Sequence, residues 1–232
     1  MIYVMSDLHG CYNKYRQMLE KIKLNNDDLL YILGDVVDRG DDGIKILLDM
    51  MHRSNVVPLL GNHEYMAYSV LKKFNVEITA NNYNTHLDED AIEMYESWMF
   101  NGGITTSQQF TKLSKEQKDS IMEYLSEFEL FEELEVNGRE FILVHGGLEN
   151  FSPDRDLYDY DIHELIWGRC DYAREYFPDK YLVTGHTPTA NIDENYKGKI
   201  YKANNHIAID CGVCFGGRLG CIRLDDLEEF YV

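Results

Sequence analysis

The sequence predicts an α/β protein. Short apolar runs, of the length of buried strands, alternate with stretches whose apolar residues recur every three or four positions. The runs stop abruptly at glycine-flanked clusters of Asp, Asn and His. In an open α/β sheet, ligands bind in the crevice beyond the carboxyl ends of the strands, so this second observation bears on function as well as fold. A chain of 232 residues suits a single domain with a substantial core.

Residues 2–6 read as a strand ending at Ser6-Asp7-Leu8-His9-Gly10. From Cys11 to Leu24, the spacing of Tyr12, Tyr15, Met18, Leu19 and Ile22 predicts a helix. Leu29 to Leu33 is the next strand, which makes the opening a βαβ unit with a parallel pair. Gly34-Asp35-Val36-Val37-Asp38-Arg39-Gly40 follows, and taken alone it fits a solvated turn as well as a site. Ile44, Leu47, Leu48 and Met51 mark a second helix, and the strand Val56 to Leu60 runs straight into Gly61-Asn62-His63-Glu64.

From about residue 75 to 129 the pattern changes. Asn81-Asn82-Tyr83-Asn84 reads as loop, Ile92, Tyr95 and Trp98 as helix, and Ser114-Lys115-Glu116-Gln117 as a capping box. This region is expected to be a helical insert leaning on the core of one domain spanning residues 1–232. Strands return at Phe131 to Val136 and Glu140 to Val144, joined by Asn137-Gly138 as a hairpin turn. His145-Gly146-Gly147 ends the second of them, and Tyr181 to Thr184 stops at Gly185-His186-Thr187-Pro188. Residues 199–202, 206–210, 219–224 and 229–232 are expected as antiparallel strands.

Lys+Arg 22 against Asp+Glu 41 gives a formal charge of -19. That balance argues against a nucleic-acid backbone or an anionic membrane as partner. It equally serves solubility alone. An acidic protein acting on an anionic substrate needs local cations, most simply metal ions, to reverse the field. No apolar stretch approaches the roughly 20 residues of a membrane helix, and the first residues lack the charge and length of a signal peptide. The five cysteines, odd in number and mostly isolated, suit a reducing cytoplasm. Cys211-Gly212-Val213-Cys214 matches C-x-x-C but has no second pair to complete a structural zinc site.

The strand ends collect two carboxylates, three imidazoles and an amide: Asp7, His9, Asp35, Asn62, His145 and His186. This mix suits borderline first-row metals, manganese first, with iron or zinc as alternatives. One ion could take Asp7, His9 and Asp35, and a second Asp35, Asn62, His145 and His186, with Asp35 shared. Two ions about 3.5–4 Å apart can share a hydroxide and clamp both oxygens of an in-line displacement at phosphorus.

Together, Asp7-x-His9-Gly10, Gly34-Asp35-x-x-Asp38-Arg39-Gly40, Gly61-Asn62-His63-Glu64, His145-Gly146-Gly147 and Gly185-His186-Thr187-Pro188 resemble the motif set of the calcineurin-like metallophosphatases. The match is closest to the phosphoprotein phosphatase group, which includes Ser/Thr protein phosphatases and bacterial diadenosine tetraphosphatases. The resemblance implies a four-layer αββα sandwich, the same ligand assignment, and a metal-bridging hydroxide as nucleophile. It makes His63 the general acid, oriented by Asp38, a pairing that fixes the imidazole tautomer. Arg39 would bind phosphate as a planar bidentate donor, and Arg169, in Trp167-Gly168-Arg169, is the candidate second phosphate arginine. His52, His86, His163 and His206 fit no motif.

Within the insert only Trp98 to Gly103 loosely resembles bacterial members, as does the tail from Ile209-Asp210-Cys211-Gly212 to Phe215-Gly216-Gly217. Protein phosphatases of the group usually carry arginine before Gly-Asn-His-Glu, whereas this chain has Leu60. The first expectation is a bacterial-type phosphatase of phosphoserine or phosphothreonine in proteins or peptides. The alternative is a dinucleoside polyphosphate hydrolase, and the third reading is an inactive binding module. The sequence leaves oligomeric state open.

Overall fold

The computed structural model describes residues 1–75 and 89–232. The expected loop at 81–84 and His86 lie outside the described residues. The first sheet is built on the opening βαβ units. Strands β1 (Ile2–Met5), β2 (Leu29–Leu33) and β3 (Val56–Leu59) run parallel, joined by helices α1 (Tyr12–Ile22) and α2 (Gly43–Met51). Beyond β1, the late strands β9 (Gly220–Arg223) and β10 (Glu228–Tyr231) add antiparallel, giving the order β10-β9-β1-β2-β3. The second sheet has the order β4-β5-β6-β8-β7, from β4 (Phe131–Val136), β5 (Arg139–Val144), β6 (Lys180–Thr184), β7 (Tyr201–Ala203) and β8 (His206–Ala208).

Side-chain alternation along the strands sets the layers. Val4, Tyr31, Leu33 and Leu59 face the second sheet and pack with Phe141, Leu143, Val183 and Ile207. Their neighbours Tyr3, Met5, Leu30 and Ile32 face the other way, into a helical layer that supplies Tyr15, Met18, Ile46, Leu47 and Val70. The outer face of the second sheet, Ile142, Val144 and Leu182, is covered by Leu157, Leu165, Ile166 and Tyr176. The result is the αββα order, with a thin fourth layer of coil and a five-residue helix, Ile162–Ile166.

The described part of the expected insert, from residue 89 on, is helical. It contains α4 (Glu89–Trp98), a π-helical turn (Met99–Gly103), α5 (Ile104–Thr111) and α6 (Lys115–Ser126). Trp98, Phe110, Ile121 and Leu125 belong to the same apolar cluster as the helices of the first sheet. The capping box forms: Ser114 Oγ accepts from the Gln117 N–H at 3.2 Å, and Gln117 Oε1 accepts from the Ser114 N–H at 3.1 Å. Asn137 and Gly138, both with positive φ (52° and 74°), turn the β4–β5 hairpin.

One expectation needs correcting. The last four segments are not all antiparallel to their neighbours: β8 pairs antiparallel with β7 but parallel with β6. Short apolar runs carry no record of direction. Here the left-handed pair Asn204 and Asn205 (φ 53° and 55°) reverses the chain so that β8 runs alongside β6 in the same sense. Its carboxyl end therefore opens into the same crevice as those of the other parallel strands.

Candidate active site

Strand ends from both sheets meet in that crevice. β1 delivers Asp7 and His9, β2 delivers Asp35 and Asp38, and β3 leads into helix α3 (Asn62–Phe74), whose first turn holds Asn62 and His63. β5 delivers His145 and β6 delivers His186. The backbone there is unusual, since Asp7, His9, Asp35, Asp38, Arg39 and His186 all have φ between 40° and 69°. Left-handed non-glycine residues each cost on the order of 1 kcal/mol or more and persist only where the surroundings hold them.

Glu64 supplies much of that hold. Its carboxylate is fully buried and accepts from the backbone N–H groups of Asp35 (2.7 Å), Val36 (2.7 Å), Val37 (3.1 Å) and Gly61 (3.2 Å). The β1 and β2 loops are also laced to each other, His9 N–H to Asp35 O at 2.8 Å and Gly10 N–H to Val36 O at 2.8 Å. Gly34 can be nothing larger: a Cβ there would lie 2.5 Å from the Gly61 backbone.

The donor atoms converge in two groups that share Asp35: His9, Asp35 and His63, and Asp35, His145 and His186. His145 is 2.6 Å from Leu33 O through Nδ1, so Nδ1 carries the proton and Nε2 presents a lone pair. That lone pair faces Asn62 Oδ1 at 3.0 Å and Asp35 Oδ1 at 3.3 Å. His186 Nδ1 is also 3.0 Å from Asn62 Oδ1. His9 likewise spends Nδ1–H on Val37 O (3.0 Å), while its Nε2 accepts from Arg39 Nη1 at 2.5 Å and lies 3.5 Å from Asp35 Oδ2. Asp7 lies outside both groups. Its Oδ2 is engaged by the Ser6 hydroxyl and by the His186 N–H.

Burial dominates the titration of this cluster. It raises Asp35 well above the ordinary carboxylate range, reinforced by Asp7 and Glu64, and raises Asp7, reinforced by Asp210. It lowers His9 and His145 well below the ordinary imidazole value, helped by His63 and His186 respectively. Burial, followed by Arg169, brings His186 down to about 4. Burial thus favours neutral imidazoles, and Arg39 offsets only part of what burial does to the two carboxylates.

His63 is placed differently. Its Nδ1–H donates to Asp38 Oδ2 at 2.7 Å, and Nε2 faces the cavity, 3.0 Å from Arg39 Nη2. Asp38 is fully buried and has every side-chain partner it needs: Trp98 Nε1–H donates to Oδ2 (2.9 Å) and Thr106 Oγ–H to Oδ1 (2.6 Å). Thr106 Oγ also accepts from the Asp38 N–H at 2.9 Å. The insert reaches Arg39 as well, whose N–H donates to Gly102 O at 3.0 Å. A Cβ on Gly102 would approach Arg39 Cγ to 2.9 Å.

Above this floor lies a cavity of about 600 Å³, lined among others by Asp35, Asn62, His63 and His186 below and by Arg39, Arg169, Lys197, Trp167 and Phe215 around it. Its size falls in the range of small-molecule sites.

The sequence matches the calcineurin-like phosphoesterase family over residues 1–205. The chain belongs to that family. A Ser/Thr protein phosphatase of Salmonella typhimurium is 25% identical over 235 residues, 96% of this chain and 91% of its own. An asymmetrical bis(5'-nucleosyl)-tetraphosphatase of Geobacillus is 26% identical over 253 residues, 99% of this chain and 92% of its own. The crystal structure of a putative diadenosine tetraphosphatase superposes with a TM-score of 0.68, covering 100% of this chain and 92% of that one, at 16% identity; this likeness speaks to fold alone.

This phosphoesterase is a metal-dependent phosphatase, and its family uses two divalent ions. The donor set fits such ions. Imidazole nitrogens, an amide oxygen and buried carboxylates face one another, and the outer nitrogens of His9 and His145 are tied to backbone carbonyls, as metal-bound histidines usually are. By proximity alone His63 could join His9 and Asp35, but its Nδ1 is committed to Asp38.

Four residues of the phosphoesterase site had no assigned role in the sequence reading. Glu64 follows His63 in its motif. Thr106 comes from a part of the insert with helical spacing alone, and Trp98 opens the Trp98 to Gly103 stretch that loosely resembles bacterial members. Asp210 is delivered by β8 and sits near enough to Asp7 to raise it; burial pushes Asp210 itself up to about 6. A parallel reading of 206–210 would have found it. Of the unmatched histidines, His52 is exposed, His163 stacks on Trp167 at 4.8 Å, and His206 is buried against Tyr172 at 4.9 Å. The five cysteines are free thiols. Among the described residues no helix is long and apolar enough to cross a membrane.

Proposed function

We propose that this phosphatase hydrolyses dinucleoside polyphosphates, by direct attack of water at phosphorus with His63 as the acid for the departing oxygen. One observation carries the choice of substrate. Arg39, Arg169 and Lys197 line a single cavity above the two donor groups. A phosphoserine or phosphothreonine ester presents one phosphoryl group, whereas three separate cations suit a chain of them. Leu60, buried where protein phosphatases of the group usually carry arginine, agrees with this. A relative covering nearly the whole chain is named for the same substrate class.

Asp7, His9 and Asp35 would hold one divalent ion, and Asp35, Asn62, His145 and His186 the other. When bound, the pair supplies Lewis-acid activation of water and neutralises phosphoryl charge. The rest falls to the chain's own residues. Asp38 holds Nδ1–H of His63, so that Nε2 is the atom that gives a proton to the leaving oxygen. Trp98 and Thr106 fix Asp38 and act through it as positioning residues. Arg39 grips the reacting phosphoryl group with its planar fork, and Arg169 and Lys197 take the remaining ones.

The test compares kcat/KM for diadenosine tetraphosphate and for a phosphoseryl peptide, using protein reconstituted with Mn²⁺. The nucleotide is expected to be the better substrate by at least tenfold. A preference for the peptide would return the assignment to protein phosphatase.

A further inference from the structure

Phe215 is exposed to 64% although it lines the catalytic cavity. It does not hang on a loose loop. The turn Val213–Phe215 is bracketed by left-handed Gly212 (φ 71°) and Gly216 (φ 80°). It is closed by hydrogen bonds from Phe215 N–H and Gly217 N–H to Gly212 O, at 3.0 and 2.9 Å. The turn is anchored to the site floor through Gly212 N–H and Asp210 Oδ1 at 2.8 Å. The Arg39 guanidinium carbon lies 5.1 Å from the Phe215 ring centroid, and the same guanidinium reaches His63 Nε2 at 3.0 Å. One side chain therefore links an open aromatic face to the group placed as the acid.

We propose that Phe215 is the platform on which a nucleobase of the substrate stacks, making the site selective for phosphate chains that carry a base. This rests on the reading of the cavity as a phosphatase centre for polyphosphates. A ring carried on a turn closed by hydrogen bonds, largely in water at the mouth of a site, presents an apolar face to a partner at a reduced ordering cost. Stacking on an aromatic side chain is the base-tolerant way to bind a nucleotide, and the Arg39 contact adds a cation to the same stack. The side-chain amides of Asn101 and Asn191 line the cavity too and offer both donors and acceptors for a base edge. A phosphotyrosyl side chain would also present a ring. It carries one phosphoryl group, however, and leaves Arg169 and Lys197 without an anion.

The experiment measures kcat/KM for diadenosine tetraphosphate and for inorganic tripolyphosphate in the Mn²⁺-loaded wild type, Phe215→Ala, Phe215→Trp and Phe100→Ala. The ratio of nucleotide to tripolyphosphate is expected to fall roughly 5- to 150-fold in Phe215→Ala, the loss of one base–aromatic stack. It should stay within about threefold of wild type in Phe215→Trp, which keeps an aromatic face. Phe100, exposed to 92% and outside the cavity lining, is the control and should leave the ratio unchanged. An unchanged ratio in Phe215→Ala, with wild type active on the nucleotide, overturns the platform and leaves the polyphosphate reading standing. A wild type that ignores the nucleotide, or prefers a phosphotyrosyl peptide, overturns both.

Discussion

Thr106→Val isolates the contribution of the insert to the catalytic centre. Valine keeps the shape of threonine and removes only its hydroxyl. That hydroxyl makes two bonds to one fully buried residue, donating to Asp38 Oδ1 at 2.6 Å and accepting from the Asp38 N–H at 2.9 Å. Losing a hydrogen bond to a charged group costs about 1.5–3 kcal/mol, and stranding a buried N–H adds about 1–3 kcal/mol. We expect a net loss of about 3 kcal/mol in urea unfolding. Asp38 would keep Trp98 and His63 on Oδ2 but nothing on Oδ1, so its grip on His63 loosens. A fall in kcat of roughly 10- to 100-fold follows, a fraction of what an acid is worth. Thr106→Ser should recover most of both. In an Asp38→Asn background, the stability cost of Thr106→Val should shrink by at least about 1 kcal/mol, because the charge it served is gone. Thr106→Val with wild-type kcat and stability within about 0.5 kcal/mol would refute the clamp.

Two further outcomes follow from the geometry. His63→Asn should lower turnover by about 10²–10⁴-fold while leaving two ions per chain by elemental analysis; loss of an ion would place His63 among the ligands. Burial brings His206 down to about 4 from 6.5, so the folded state refuses a proton that the unfolded chain accepts. Its stabilising contribution is full above pH 6.5 and is lost as pH falls through 4, about 3 kcal/mol in all. Between pH 7 and 4.5, metal-free wild type should lose roughly 2 kcal/mol more unfolding free energy than His206→Phe, whose ring can still stack on Tyr172. Equal losses would show that His206 accepts its proton without a folding cost.

The legible parts of the site are those whose chemistry is local. A buried strand must stop at its carboxyl end, and the residues at that stop are neighbours in sequence, so Asp7, His9, Asp35, Asn62, His145 and His186 could be read as one set. In the folded chain His9, Asp35, His145 and His186 fall in two donor groups that share Asp35, with His63 beside the first and Asp7 outside both. The Ser114–Gln117 cap is equally local, and it forms with the residues its motif names.

What stayed hidden depends on pairing across the chain. Thr106 looks like an ordinary helical residue and Trp98 has only a loose resemblance behind it until the π-helical turn brings them against Asp38, 60 and 68 residues away. Asp210 stands in a tail that resembles bacterial members, but its place beside Asp7 depends on strand direction, which the partner strand and the preceding turn decide and the apolar run does not. Glu64 stood in a motif, yet only the folded loop shows why: four backbone N–H groups with no strand or helix to receive them close on one buried carboxylate. The sequence by itself thus determined the fold class and which residues stand at the strand ends. The tertiary structure decided which groups hold them there, because hydrogen bonds between distant segments exist only once the sheets and the insert have packed.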